Sequence, residues 1–164
     1  MKVGILTISD RSAKGERDDQ SGPLLADVVQ SNNWTVVDTT VLPDEADQIS
    51  SLLRQWSDSG NFNLILTTGG TGFAMRDVTP EATLEVVDRL APGLSEGMRA
   101  HSLKKTSHAM LSRAVAGIRG TTLIVNLPGS PKGARENLEV ILPVLPHAAE
   151  VLSNDPKSEK GHDI

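Results

Sequence analysis

Between Thr67 and Thr83 the chain reads TTGGTGFAMRDVTPEAT. This stretch follows the apolar run Leu64, Ile65, Leu66 and leads into a helix predicted to open with Thr79 as N-cap and Pro80 in its first turn. Strand, glycine loop and helix in that order are a layout that handles phosphate. Gly69, Gly70 and Gly72 remove side chains at the strand exit, so backbone N–H groups can approach an anion that a helix N-terminus also attracts. Asp77 lies between the loop and the helix. A carboxylate there repels a bare phosphate, and a cation bridging the two is its natural partner. The loop is not a P-loop, because Phe73 follows Gly72 and no lysine is near. Counted from Gly70 and Gly72, the third position of a dinucleotide fingerprint is Met75, which excludes that motif too. A tight turn without ligand is the plain reading of GGTG alone. The RDVTPE that follows weighs against it.

The elements that must position this loop are legible from periodicity. Val3 to Ile8 reads as a buried strand ending at Ser9 and Asp10, and the charged segment Arg11 to Gln20 reads as a mobile loop. A helix opens at Ser21, Gly22, Pro23 with a stripe of Leu24, Leu25, Val28 and Val29. The β-branched run Thr35 to Leu42 predicts a strand covered on both faces. Asp44 is placed to cap the next helix, whose Ile49, Leu52, Leu53 and Trp56 form the clearest amphipathic pattern of the chain. Helices are predicted over Pro80 to Leu90 and Gly93 to Lys105, then strands over Val115 to Ile118 and Thr122 to Asn126. A second loop, Leu127 to Gly133, precedes a last helix that Pro143 and Pro146 interrupt before Ala148 to Leu152. Strands alternating with helices, without internal repeats, predict an α/β three-layer α/β/α sandwich with a mainly parallel central sheet. The domain is expected to span residues 1–152, with 153–164 a flexible tail too poor in apolar residues to pack.

Composition excludes several classes of function. With 164 residues the chain is one domain of ordinary size, and with no cysteine it has no disulfide, thiolate metal site or cysteine nucleophile. A net charge of −5 and no long basic run disfavour nucleic-acid binding. No segment approaches a membrane span or a signal-peptide core, so a cytoplasmic protein without membrane contact is expected. His101 and His108 lack metal-ligand spacing, and Ser112-Arg113 is no nucleophile elbow.

In a parallel sheet, ligands bind beyond the strand C-termini, where Ser9 and Asp10, Asp44, Gly69 to Asp77, and Asn126 to Ser130 would converge. Asp10, Asp44 and Asp77 form a candidate oxygen-ligand set for Mg²⁺, which takes one or two carboxylates plus substrate phosphates. Each has a plainer alternative: a turn cap for Asp10, a helix N-cap for Asp44, and for Asp77 a pair with Arg76 or a cap of the following turn. Arg76, Arg113 and Arg119 read equally as neutralisers of substrate phosphate or as interchain ion pairs.

TISD at 7–10, SGP at 21–23, PDE at 43–45, TTGGTGF with RDVTPEAT, AMLSRAVAGIRG at 109–120 and NLPGSPKG at 126–133 together resemble the MogA/MoaB family of molybdenum cofactor biosynthesis, which also forms the G domain of gephyrin and of a plant counterpart. The resemblance runs from Val3 to Leu152. It implies a homotrimeric molybdopterin adenylyltransferase that uses MgATP to adenylylate the phosphate of molybdopterin and releases pyrophosphate. It assigns importance to Asp44, Asp77 and the GGTG loop, and adenylyl transfer would make Asp44 and Asp77 the catalytic, Mg²⁺-holding residues. Asp10, Gly69, Gly70, Thr71, Gly72, Thr79, Glu81, Asn126 and Ser130 match the family's pocket; with Ser9, Pro128 and Gly129 at the same strand exits they are the expected substrate-binding residues, and Ser9, Ser130 and Lys132 are placed to orient substrate groups at the edge. Met75 and Ser107 stand where relatives often have proline. Two alternatives remain: a MoaB-like paralogue that binds molybdopterin without turnover, and a trimeric scaffold module.

Overall fold

The computed structural model describes residues 1–154. In chain order the elements are β1 (Lys2–Ile8), α1 (Asp10–Ala13), α2 (Ser21–Ser31), β2 (Thr35–Leu42), α3 (Ala46–Asp58), β3 (Leu64–Thr68), α4 (Thr79–Val86), β4 (Arg89–Leu90), α5 (Pro92–Leu103), β5 (Ala116–Arg119), β6 (Thr122–Leu127), α6 (Pro131–Ile141) and α7 (Leu145–Leu152). They build one six-stranded sheet in the order β2-β1-β3-β6-β5-β4. The first four of these strands run parallel, while β5 and β4 are antiparallel additions at one edge.

Alternation along the strands divides the core into two layers. Val3 and Ile5 of β1, Leu64 and Leu66 of β3, and Leu123 and Val125 of β6 face Leu25, Val29, Met98, Leu138 and Leu145 of α2, α5, α6 and α7. Leu6, Ile8, Ile65 and Ile124 face the other way, onto Ile49, Leu53 and Trp56 of α3 and Ala82 and Val86 of α4. Each Val, Leu, Ile or Met side chain among them taken from water contributes about 1.5–3 kcal/mol. Trp56 stacks on Phe62 with ring centroids 5.0 Å apart. The result is the three-layer α/β/α sandwich with a mainly parallel sheet.

Several local expectations are corrected. β2 is not covered on both faces; it is the edge strand, paired only with β1, and Val37 and Val41 are 42% and 38% exposed. β-Branched residues suit the extended backbone whether or not a second layer covers them, so the run marked a strand but not its depth. The helix predicted to reach Leu90 stops at Val86, because Asp88 N–H donates to Ile118 O at 2.8 Å and Ala91 N–H to Ala116 O at 2.9 Å, drawing Arg89 and Leu90 into β4. Asp10–Ala13 is one helical turn, capped by Ser9, and takes up the start of Arg11 to Gln20, the segment expected to be a mobile loop. Neither Asp44 nor Thr79 is an N-cap: α3 begins after Glu45 and α4 after Val78, both without side-chain caps. Of the expected tail, only Ser153 and Asn154 lie within the described residues.

Candidate functional site

The direction of chain winding reverses between β1 and β3: α2 carries the chain from β1 outward to β2, and α3 returns it past β1 to β3. A crevice opens beyond the strand C-termini at such a reversal. The β1 exit supplies Ser9 and Asp10, the β2 exit Asp44, the β3 exit the glycine bend, and the β6 exit Pro128, Gly129 and Ser130.

The bend depends on backbone conformations that only glycine adopts readily. Gly69 and Gly70 are consecutive left-handed residues, with φ of 105° and 62°. A Cβ on Gly69 would collide with the Ile8 carbonyl, one on Gly70 would lie 3.1 Å from Asp44 Oδ1, and one on Gly129 would lie 3.1 Å from Gly69 Cα. Three strand exits are therefore in contact through their main chains. Buried Thr79 locks the bend from α4, its hydroxyl donating to Gly69 O at 2.9 Å and its N–H to Gly70 O at 3.1 Å. The Thr68 hydroxyl ties the bend to Pro128 O at 2.7 Å. After these bonds, the N–H groups of Gly70, Thr71 and Gly72 have no acceptor among the described residues. Unpaired main-chain donors at a strand exit call for an anion or water.

The acidic residues are individually placed. Asp10 and Asp44 exchange bonds, Asp10 N–H donating to Asp44 Oδ2 at 2.8 Å and Asp44 N–H to Asp10 Oδ1 at 3.1 Å. Arg76 then grips Asp10 through Nε at 3.0 Å and Nη2 at 2.8 Å, and pairs with Glu45 at 2.8 Å. That fork holds the Asp10 carboxyl below its ordinary range. Asp44 is pushed the opposite way, chiefly by burial, with the neighbouring negative charges of Asp10 and Asp77 adding to it. Asp77 accepts from Ala74 N–H at 2.9 Å, and the same oxygen lies 2.9 Å from where a Cβ on Gly72 would stand. Asp44 and Asp77 thus flank the glycine bend with like charges.

Among the described residues no three acidic or histidine side chains gather as a self-sufficient metal site. The residues present nevertheless fit Mg²⁺ delivered on a polyphosphate, which needs only one or two carboxylates and fills its octahedron with phosphate and water oxygens. Asp44 Oδ1, which has no hydrogen-bond donor among the described residues, is the oxygen left to take a cation.

Other expected residues are committed to holding the frame. Asn126 is fully buried; its amide donates to Thr67 and Thr83 hydroxyls, both at 2.9 Å, and accepts from Val115 N–H at 3.3 Å. Ser130 caps α6, accepting from Gly133 N–H at 3.2 Å, and Ser9 does the same for Ser12 N–H. Glu81 is paired with Arg113, which draws its carboxyl below the usual range. The arginines read from sequence as phosphate or interchain partners have partners within the chain: Asp10 and Glu45 for Arg76, Glu81 for Arg113, Asp58 for Arg119.

Two features escaped the sequence. Asp19 accepts from Thr7 Oγ1 at 2.7 Å and from the N–H groups of Ser21 and Gly22 at 3.0 Å each, organising the start of α2 beside Ser9 and Gly129. An aspartate just ahead of Ser-Gly-Pro is a helix-start signal, overlooked among its charged neighbours. The second is a cavity of about 340 Å³ on the far side of the bend, reached by Thr71, Gly72, Arg99, Ser102, Lys105 and Ser112. Ser95, Arg99 and Ser102 recur on one face of α5, polar residues where a core stripe would be apolar, and that was the available sign.

A doubly wound sandwich with a glycine bend between two carboxylates at the strand exits, and a cavity beside it, belongs to the α/β class whose candidate site lies at the switch point of the sheet. Residues 4–147 match the family described as "Probable molybdopterin binding domain", and the chain belongs to that family. It is 42% identical over 152 residues to the molybdopterin adenylyltransferase of Helicobacter pylori strain J99, covering 92% of this chain and 86% of that protein. It is 45% identical over 166 residues to gephyrin of Dictyostelium discoideum, covering 95% of this chain but only 23% of that longer protein. Among solved structures, the molybdopterin biosynthesis enzyme MoaB of Thermus thermophilus superposes with a TM-score of 0.89 at 53% identity, over 94% of this chain and 98% of that one.

Proposed function

We propose that the chain is a molybdopterin adenylyltransferase, transferring AMP from MgATP to the terminal phosphate of molybdopterin. The observation that carries this reading is the set of unpaired N–H groups at Gly70, Thr71 and Gly72, held between the carboxylates of Asp44 and Asp77 at the switch point. An oxygen of the molybdopterin phosphate attacks the α-phosphorus of ATP, the bond from that phosphorus to the β-bridging oxygen breaks, and pyrophosphate leaves with the electron pair. The nucleophile is already ionised at neutral pH, so no general base is needed. The protein's task is to hold two mutually repelling anions in line.

The glycine bend donates to phosphoryl oxygens, and the capped start of α6, with Ser130 exposed and Lys132 beside it, adds donors and positive charge. Ser9 and Asp10 border the nucleotide side. Thr79, Asn126, Pro128 and Gly129 keep the bend in place, and Glu81 acts through Arg113. Asp44 and Asp77 would hold Mg²⁺, which neutralises charge on the triphosphate and on the departing pyrophosphate. The cavity beside Thr71 and Gly72, with Arg99 and Lys105 in its wall, suits the second phosphate-bearing substrate. By resemblance the active form is a cytoplasmic homotrimer whose domain spans residues 1–152.

Pyrophosphate release on mixing the protein with MgATP and molybdopterin tests the proposal. Asp77→Asn should retain the fold and lose about 10²–10³-fold in kcat. The second reading is a MoaB-like binder without turnover; the 53% identity to the Thermus MoaB supports the likeness to MoaB but not the lack of turnover, since that protein is itself described as an enzyme. Under the second reading, molybdopterin binds and no pyrophosphate appears.

A further inference from the structure

The segment that walls the cavity and the bend that carries Asp77 are joined by one side chain. Arg113 follows Ser112, and its N–H donates to Thr71 O at 2.9 Å. Its guanidinium donates through Nε to Gly72 O at 2.7 Å and through Nη2 to Asp77 O at 2.5 Å, while Nη1 pairs with Glu81. The two carbonyls are the two ends of the bend. Between them Phe73 and Met75 are 67% and 97% exposed, the bonds within the bend are those between Ala74 and Asp77, and Arg76 anchors its far side on Asp10 and Glu45, leaving Arg113 to hold the two end carbonyls. A planar fork with donors on two edges can take both carbonyls at once in fixed geometry, and an ammonium group cannot.

We infer that Arg113 is a positioning residue that closes the Gly72–Asp77 bend, sets Asp77 opposite Asp44, and ties the bend to the cavity wall. Its kinetic consequence rests on the adenylyl-transfer reading; its effect on the bend does not. Arg113→Gln and Arg113→Lys are compared with Arg119→Gln, which removes a bidentate pair to Asp58 at the other end of β5. The readouts are kcat, KM for ATP, the Mg²⁺ concentration giving half-activation, and amide hydrogen exchange at Ala74 and Asp77.

Arg113→Gln should raise the Mg²⁺ midpoint and lower kcat, each about 10–100-fold, with a change in KM for ATP of under about threefold and loop exchange about tenfold faster. Arg113→Lys should fall between, and Arg119→Gln should match the wild type. A folded Arg113→Gln with wild-type midpoint and exchange overturns the inference, even if its melting temperature drops. If that variant does not fold, wild-type values in Arg113→Lys overturn it equally. A wild type that releases no pyrophosphate removes the adenylyl-transfer reading instead. Exchange then decides alone: faster exchange at Ala74 and Asp77 sustains the clamp, and unchanged exchange overturns it.

Discussion

Asp44 occupies a position that disfavours its own charge, being partly buried and facing Asp10 and Asp77, while the adjoining Asp10 is neutralised by Arg76. Their contributions to stability have opposite signs. The folded chain raises the Asp44 pKa above the ordinary 3.8, so no penalty exists well below that value, and the ionised group destabilises the fold as pH rises through the folded pKa. Asp10 is depressed below 3.8, so its contribution is present above that value and is lost as pH falls through the folded pKa. Asp44→Asn, which can still accept from Asp10 N–H, should therefore raise the melting temperature at pH 7, with the gain vanishing below the carboxylate range. Asp10→Asn should lower it at pH 7 by an amount that added salt reduces, since the Arg76 pair is exposed. Thermal melts across pH 3–8 check both signs. A more stable Asp44→Asn that has lost about 10²–10³-fold in kcat would mark a carboxylate kept for function against stability.

The glycine bend is where the element scale decides function. Gly70→Ala places a Cβ into a left-handed residue and against Thr79 and Asp44. We expect a loss of about 1–2 kcal/mol in denaturant unfolding, with activity falling by more than that loss explains because the N–H groups of Gly70 to Gly72 are re-aimed. A variant with wild-type kcat and KM would show that the bend does not grip substrate. The existence of this bend was legible because glycine clusters after an apolar run have few other uses. Its lock was not. Thr79 and Asp44 both had the residue type and position of helix caps, yet the Thr79 hydroxyl turns to donate to Gly69 O, and an Asp44 oxygen accepts from Asp10 N–H. A capping pattern states that a side chain can bond locally, and a better partner elsewhere overrides it.

At the scale of the whole molecule, the β2 edge bears exposed Val37 and Val41, and Leu84, Leu90 and Met110 add scattered apolar surface elsewhere. Self-association into the proposed homotrimer would cover such area. Sedimentation equilibrium should return three times the 17.5 kDa chain mass, and a monomer at micromolar concentration would refute the assembly without touching the site chemistry. The sheet order matters more for that chemistry. Only because β1 lies between β2 and β3 do their three exits meet, bringing Asp10, Asp44 and Gly70 together at one edge although the β2 and β3 exits come far later in the chain than the β1 exit.

From its residues alone the chain determined five of its six strands, most of its helices, its layered class and the glycine bend with its flanking acids. These depend on periodicity and on backbone angles, which neighbouring residues set. Tertiary structure decided which strand became the edge, that Arg89 and Leu90 joined the sheet, which carboxylate each arginine holds, and that a cavity opens behind Thr71. Those outcomes depend on contacts between distant segments, whose energies compare only once the sheet has assembled and water has left the spaces between its layers.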